Sequence, residues 1–308
     1  MGVLNVTNIS ALGAGQNHTC IVNPDGTVEC WGHNVYGELG SSPTSSALGT
    51  PVSVSGVTDG VSITAGYSHT CALSQGRTVS CWGYNAFGML GNGTTVDSAT
   101  PVRVAAVSNA VSVAAGVMHT CALTTTGTVH CWGYNADGEL GNGSTAMSTT
   151  PTTVANLTNV LSIVSGGRHT CATNVVGTLL CWGDNTSGEL GVAGVANSST
   201  PVTVANVTSI AAVAAGDAHN CELSSSGGVS CWGHNQAGQL GNGSTINNVT
   251  AQGVAGLSTP LGISVGYDNS CAITTSGLFC WGSNSAYKLG IADSAITFSD
   301  TPVRILGF

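Results

Sequence analysis

Twelve cysteines occur in six pairs of nearly constant spacing, and thiols at such a spacing could form disulfides, stay reduced or bind a metal. Zinc sites usually contain C-x₂₋₄-C pairs, whereas a C-x₉-C spacing offers two thiolates per pair with no second pair beside them. Disulfides are therefore favoured, and reduced structural thiols and a metal site are the alternatives. The cysteines are Cys20, Cys30, Cys71, Cys81, Cys121, Cys131, Cys171, Cys181, Cys221, Cys231, Cys271 and Cys280.

The first pair can be tested for disulfide geometry by counting along the stretch CIVNPDGTVEC. Pro24-Asp25-Gly26 is typical of a three-residue hairpin loop with glycine in the left-handed position, and this loop sets Cys20 opposite Cys30. Directly opposed residues at a non-hydrogen-bonded site have Cα atoms roughly 4.5 Å apart, which a disulfide accepts. The cysteines of the last pair are one residue closer in sequence, and a two-residue loop again places them opposite each other. The same count pairs Cys71 with Cys81, Cys121 with Cys131, Cys171 with Cys181, Cys221 with Cys231, and Cys271 with Cys280.

A histidine stands two residues before the first cysteine of five pairs, and the sixth pair has asparagine instead. Metal sites need three or four converging ligands, whereas equivalent residues of different repeats are usually far apart. Asparagine can replace histidine in a hydrogen bond, so a structural role is favoured over a metal site. We expect no metal and no cofactor. These residues are His18, His69, His119, His169, His219 and Asn269.

The elements that position these residues recur about every 50 residues. Tryptophan follows the second cysteine of each pair, at Trp31, Trp82, Trp132, Trp182, Trp232 and Trp281. Each unit contains four β-like segments separated by turn signals, at a period in the range of propeller blades. The sequence therefore predicts an all-β fold, a β-propeller of six four-stranded blades, as a single domain over residues 1–308. We expect the tryptophans to pack between blades; a ligand-binding or light-absorbing platform is the alternative.

The composition excludes several classes of partner. The net charge of −9 opposes binding to nucleic acid or to an anionic membrane surface. The chain has no apolar run of the roughly eighteen residues that a membrane span requires, so we expect no membrane insertion. Many cysteines in a weakly charged chain indicate an oxidising compartment. Because the start lacks the features of a signal peptide, we expect a mature secreted or cell-surface domain, or an excised piece of one.

No recurring group of residues suggests catalysis. The chain has no Ser-His-Asp order, no paired carboxylates and no phosphate-binding loop outside the repeat, and the glycine-rich stretch 141–145 lacks a lysine. The stretch 135–139 faintly resembles a calcium loop but lacks its carboxylates. We expect no enzymatic activity.

The joint pattern G-x-x-H-T-C-A-L, G-x-V-x-C-W-G-x-N-x-x-G-x-L-G and T-P-V-x-V resembles the repeat of the regulator of chromosome condensation family, over essentially the whole chain. The resemblance implies a β-propeller of four-stranded blades that is used for protein–protein contact and has no common catalytic site. Family members include a nuclear exchange factor for a small GTPase, a plant ultraviolet-B photoreceptor and a secreted bacterial β-lactamase inhibitor.

The chain departs from the family pattern in three respects. Family propellers commonly have seven blades, whereas this chain has six units. The photoreceptor's G-W-R-H-T segment has no counterpart, since Gly166–Thr170 contains no tryptophan. The paired cysteines are not general to the family and oppose a nuclear or cytosolic role. Phe308 and Val6 both fall on the repeat position of Val107, which predicts a ring closed by the two termini; a fragment of a longer array is the alternative.

The loop after W-G varies from unit to unit and carries five of the ten aromatic residues other than tryptophan. Equivalent loops of a propeller lie on one face, and clustered aromatic side chains are typical of binding hot spots. We predict a non-enzymatic extracellular protein-binding or cell-surface module, inhibitor-like or adhesive; the alternative is a self-associating repeat unit of an extracellular assembly. Local packing would also explain these side chains. The predicted partner-binding residues are Tyr36, Tyr84, Phe87, Tyr134, Asp137, Asp184 and Tyr287.

Tyr287 stands where the other five units have glycine. A position that requires a positive φ would strain a tyrosine.

Overall fold

The computed structural model describes residues 6, 8–291, 293 and 295–305. Its strands form six four-stranded antiparallel sheets, each made of four strands that are consecutive in the chain. The fold is therefore a six-bladed β-propeller, as the repeat predicts. The chain divides into two compact units, residues 1–163 and 164–308, and the single domain stays a prediction. Closure through Phe308 rests on a residue outside the described part.

The first unit contains blades 1 to 3. Blade 1 is formed by β1 (Ala11–Ala14), β2 (His18–Val22), β3 (Val28–Gly32) and β4 (Leu48–Ser53). Blade 2 is formed by β5 (Gly60–Ala65), β6 (His69–Ser74), β7 (Val79–Gly83) and β8 (Ser98–Arg103). Blade 3 is formed by β9 (Ala110–Ala115), β10 (His119–Thr124), β11 (Val129–Gly133) and β12 (Ser148–Thr153).

Blades 4 to 6 follow, and the division between the units falls within the first strand of blade 4. Blade 4 is formed by β13 (Val160–Ser165), β14 (His169–Asn174), β15 (Leu179–Gly183) and β16 (Ser198–Thr203). Blade 5 is formed by β17 (Ile210–Ala215), β18 (His219–Ser224), β19 (Val229–Gly233) and β20 (Asn248–Gly253). Blade 6 is formed by β21 (Pro260–Val265), β22 (Asn269–Thr274), β23 (Gly277–Ser283) and β24 (Phe298–Arg304), with a 3₁₀ turn at Ser285–Tyr287.

The middle hairpin of each blade has the register that its cysteines require. Cys20 lies directly opposite Cys30, and the two Cα atoms are 4.1 Å apart. In blade 6 the loop shortens to two residues between Thr274 and Gly277, which sets Cys271 opposite Cys280. All twelve cysteines form the six predicted intra-blade disulfides.

Tryptophan fills the seam, by which we mean the surface shared by two consecutive blades of one unit. Within the first unit, the indole Nε1 of Trp82 donates a hydrogen bond to Glu38 O at 2.9 Å. Within the second unit, Trp281 donates to Gln239 O at 2.9 Å. Both side chains are fully buried. Each indole N–H therefore has a hydrogen-bond acceptor, while the large apolar surface of the ring is removed from water. Trp132 and Trp232 make the equivalent bonds to Met89 O and Glu189 O.

The histidines of the repeat also lie in the seam. His69 Nε2 is 3.0 Å from Thr120 Oγ1 on the next blade, and His219 Nε2 is 2.9 Å from Ser270 Oγ. Burial lowers the pKa of both His69 and His219 to about 3, because a charged imidazole would lose its hydration there. These histidines are therefore neutral structural residues near pH 7. Within the described residues, no three His, Cys, Asp or Glu side chains come close enough together to hold a metal ion.

Candidate protein-binding surface

The loop after W-G is shaped by its buried asparagine. In blade 3, Asn135 Oδ1 accepts a hydrogen bond from Leu140 N at 2.9 Å. Its Nδ2 donates to the carbonyl oxygens of Ser144 and Ala146 at 3.0 and 2.8 Å. One amide thus joins both halves of the loop, as an asparagine in a turn is expected to do. The same bond to the leucine N–H is made by Asn34, Asn85, Asn185, Asn235 and Asn284.

A second buried side chain, which the sequence analysis missed, supports the tip of the same loop. Glu38 accepts a hydrogen bond from Tyr36 N at 2.8 Å, and Glu189 accepts one from Ser187 N at the same distance. Gln239 makes the equivalent bond through its amide oxygen. Burial raises the pKa of Glu189 to about 7. The sequence signal for this side chain was G-E-L or G-Q-L, and in the structure its oxygen accepts a hydrogen bond from the loop backbone.

In the first unit these loops bring four predicted aromatic residues together as two ring pairs. The rings of Tyr36 and Tyr84 lie 4.6 Å apart, and those of Phe87 and Tyr134 lie 5.1 Å apart in an edge-to-face arrangement. Each pair joins the loops of consecutive blades, and all four side chains are half-buried. We call these four residues the aromatic surface. Partial burial raises the pKa of the Tyr84 hydroxyl.

A fifth aromatic residue, missed by the sequence analysis, lies in a loop that contacts this surface. Tyr67 is 37% exposed and lies in the loop before β6. That loop contacts the aromatic surface, because Ser68 O accepts a hydrogen bond from Tyr84 N at 2.8 Å. The sequence signal for Tyr67 was the variable pair of residues before H-T-C. The sequence analysis did not consider this pair.

The three remaining predicted residues have different surroundings. Asp137 follows Tyr134 in the same loop and is half-buried. Asp184, in the second unit, is only 9% exposed, and its carboxylate accepts hydrogen bonds from the backbone N and the hydroxyl of Thr186. Tyr287, also in the second unit, is 56% exposed with φ +60°. The structure thus joins four of the seven predicted residues, with Asp137 beside them.

A family model for the RCC1-like domain matches residues 2–306 of the chain. The chain belongs to the RCC1-like domain family. Among curated proteins it is similar to a Protein RCC2 homolog of Danio rerio, with 33% identity over 101 residues, and to the Ultraviolet-B receptor UVR8 of Arabidopsis thaliana, with 33% identity over 91 residues. The matched segments cover 32% and 29% of this chain, and about a fifth of each relative.

Solved structures share the fold of this RCC1-like chain. Human WBSCR16 superposes with a TM-score of 0.88 at 24% identity, covering 99% of this chain and 84% of that one. Yeast RCC1 (Prp20), solved bound to Kap60, superposes with a TM-score of 0.86 at 23% identity, covering 96% and 74%. The ectodomain of the receptor kinase CR4 from Physcomitrella patens superposes with a TM-score of 0.56 at 23% identity, covering 90% and 63%. At these identities the likeness concerns the fold alone.

The corresponding loops of the second unit carry ionic groups as well as the exposed Tyr267 and Tyr287. Lys288 Nζ is 2.7 Å from Asp268 Oδ1 in blade 6. Asp217 lies against the loop that contains Gly167, whose N–H donates to Asp217 O at 2.9 Å. Burial raises the pKa of the Asp217 carboxyl, although a hydrogen bond from Tyr267 lowers it. The described residues include no helix with the length and apolarity of a membrane span.

Proposed function

We propose that this RCC1-like propeller is a non-enzymatic protein-binding module that recognises its partner through the aromatic surface. The observation that carries the proposal is the half-exposed state of the two ring pairs on adjoining loops. Large, rigid aromatic side chains cost little conformational entropy when they bind and dominate the affinity of many interfaces. The blade framework does not need these rings, because blades 4 to 6 have other residues at most of the same loop positions.

Family relatives support protein binding in general terms. Yeast RCC1 was solved in complex with Kap60, and Prp20p was studied for its binding to Gsp1p and histones. Those partners are known only for those proteins, because proteins that share a fold can have different functions. For this chain the loops decide the partner. Tyr36, Tyr84, Phe87 and Tyr134 fit a partner with an apolar patch, and Asp137 together with the net charge of −9 favours basic residues around that patch.

The same proposal places the protein outside the cell, as a secreted or cell-surface module. Its support is the set of six intra-blade disulfides, since such bonds persist in oxidising compartments and are rare in the cytosol. Peptide mapping of the protein from its native source, without reduction, should recover each intra-blade pair. Free thiols at most of the twelve positions would contradict the extracellular assignment.

The test of the binding surface compares the wild type with a Tyr84→Ala/Phe87→Ala/Tyr134→Ala variant. Both proteins are immobilised and exposed to the native extracellular fluid, and the retained proteins are quantified by mass spectrometry. A true partner should bind the variant at least about 30-fold more weakly, which corresponds to about 2 kcal/mol. Circular dichroism and the midpoint of urea unfolding show whether the variant is folded.

The matched control truncates three exposed aliphatic side chains outside the loops that carry the four rings: Val175→Ala, Val176→Ala and Ile246→Ala. These residues are 57, 80 and 75% exposed, so the control removes apolar area of a similar kind without touching the aromatic surface. A partner that is lost from the aromatic variant and kept by the control supports the proposal. Equal retention by all three proteins overturns it. Unfolding of the aromatic variant would show that these rings are core residues.

A further inference from the structure

Asp97 carries a negative charge beside the aromatic surface that the framework of its loop does not require. It directly precedes β8, and its Oδ1 accepts a hydrogen bond from Asn85 N at 2.7 Å. In blades 4 and 5 the equivalent bond is made at 2.9 Å by asparagine side chains, those of Asn197 and Asn247. A neutral amide oxygen is therefore sufficient to hold this loop.

The carboxylate of Asp97 lies close to the ring pair of Tyr36 and Tyr84. Partial burial, Tyr36 and the Asp97 carboxylate, in decreasing order, raise the pKa of the Tyr84 hydroxyl. The two tyrosine rings are 4.6 Å apart and tilted by 48°. Asp97 is exposed, and its second oxygen, Oδ2, accepts no hydrogen bond from any described residue. A half-buried tyrosine pair thus adjoins an exposed carboxylate with an oxygen available for binding.

Among the described residues of the first unit, no lysine or arginine lies beside Asp97. The sequence of this unit contains two arginines, Arg77 and Arg103, and no lysine. Arg103 is the last residue of β8, so about 20 Å of strand separates it from Asp97. Arg77 lies in the turn before β7, at the other end of that strand from Tyr84. The charge of Asp97 is therefore available to a basic group of another molecule.

The buried carboxylate of the neighbouring loop, by contrast, already has its partners. Glu38 has no exposed surface, and its Oε1 is hydrogen-bonded to His33 Nδ1. Its Oε2 accepts a hydrogen bond from Tyr36 N at 2.8 Å. Glu38 therefore holds its own loop, whereas Asp97 is the acidic group beside this ring pair that can reach a ligand.

We propose that Tyr36, Tyr84 and Asp97 form a binding site for an arginine side chain of the partner. The proposal rests on the proposed function and names the chemical group that this part of the aromatic surface recognises. A guanidinium group stacks on aromatic rings and also donates hydrogen bonds to a carboxylate, so it matches both parts of the site. One arginine would also supply the positive charge that the first unit lacks here.

An NMR titration with two small probes tests the site before any partner is known. The probes are N-acetyl-arginine amide and N-acetyl-citrulline amide, which have nearly the same shape but differ in charge. The arginine probe should shift the ring signals of Tyr36 and Tyr84. It should bind at least about threefold more tightly than the citrulline probe at low salt. This preference should shrink in high salt, because the site is exposed to solvent.

Asp97→Asn and Asp59→Asn form a matched pair of variants for the same titration. Asp59 lies in the loop before β5, at the opposite end of blade 2 from Tyr84. Each variant removes one negative charge, and each introduces a residue that other blades already have at the equivalent position: Asn197 and Asn247 for position 97, and Asn109 and Asn159 for position 59. Asp97→Asn should weaken binding of the arginine probe at least about threefold, and Asp59→Asn should leave it unchanged.

The proposal is overturned if the arginine probe leaves both tyrosine signals unchanged, if the two probes bind equally, or if the two variants behave alike. A partner captured through the aromatic surface gives a second readout, and its affinity should fall for Asp97→Asn but not for Asp59→Asn.

The two proposals fail separately. If the Tyr84→Ala/Phe87→Ala/Tyr134→Ala variant keeps every partner while the wild type binds the arginine probe through Asp97, the proposed function fails and the arginine site stands. If that variant loses a partner while the wild type shows no preference for the arginine probe, the arginine site fails and the proposed function stands.

Discussion

The seam and the aromatic surface use the repeat in opposite ways. In the seam, tryptophan, histidine and disulfide recur in nearly every blade, and Trp132 is fully buried with its N–H bonded at 2.7 Å. In the loops of the aromatic surface, a framework built on the same asparagine carries side chains that vary between blades, and the rings are only half-buried. Under the proposed function, stability and recognition therefore belong to separate residues, and the loop residues can vary without disturbing the packed seam.

The largest effect should come from breaking the seam itself. Trp132→Ala leaves a cavity at a fully buried position and is expected to lower the free energy of unfolding by about 3–5 kcal/mol. Trp31→Ala should cost less because the Trp31 side chain is partly exposed. Urea unfolding of both variants measures the difference. Equal costs would show that the two positions are packed alike.

Acid should weaken the seam through its histidines. A folded-state pKa of about 3 at His69, below the ordinary value of 6.5, means that the unfolded chain binds the proton more readily. The stability that His69 provides is complete above about pH 6.5 and declines as the pH falls towards 3. Between pH 7 and pH 5 the loss is about 2 kcal/mol for one such histidine.

The variant His69→Asn isolates this contribution, because asparagine already takes the equivalent position at Asn269. Its unfolding free energy should depend less on pH than that of the wild type, by about 2 kcal/mol between pH 7 and 5. Comparison with the wild type cancels Glu189, whose raised pKa acts in the opposite direction over this range. His130→Asn, at a less buried histidine of β11, is the control. Parallel pH profiles for His69→Asn and the wild type would contradict a role for His69.

A smaller effect is expected at Tyr287, which stands at a loop position where the other five blades have glycine. Its φ of +60° is one that glycine adopts freely and a tyrosine does not. Tyr287→Gly should raise the free energy of unfolding by about 1 kcal/mol. Tyr287→Ala keeps the Cβ and should bring no such gain. If both variants stabilise the protein equally, removal of the exposed ring rather than relief of backbone strain is the cause.

The smallest effect belongs to the ion pair between Lys288 and Asp268. Both side chains are about one-third exposed, and such pairs typically contribute less than about 1 kcal/mol. Lys288→Met should change the urea midpoint only slightly, and the difference from the wild type should shrink further in high salt. A large, salt-independent loss of stability would show that this pair is part of the buried framework rather than of the exposed loop surface.

Most of the blade framework could be predicted from the sequence because its residue pattern occurs six times along the chain. The spacing of Cys20 and Cys30 predicts their opposition, and the shortened loop before Cys280 obeys the same count. The strands, the buried tryptophans and the hydrogen-bonded histidines follow from local patterns of this kind. The buried Glu38 and Glu189 were missed because an acidic residue in a polar loop is ordinarily solvated, and only the folded loop buries it.

The sequence by itself determined the four-stranded blade, the disulfide register and the family, because these depend on residues close together in the chain and repeated along it. Only the tertiary structure decided which side chains meet across blades. It brought Tyr36 to Tyr84 and Phe87 to Tyr134, and it turned Asp184 back onto Thr186. The physical reason is that contacts between blades join residues about 50 positions apart, and their geometry depends on how the sheets pack rather than on any local pattern.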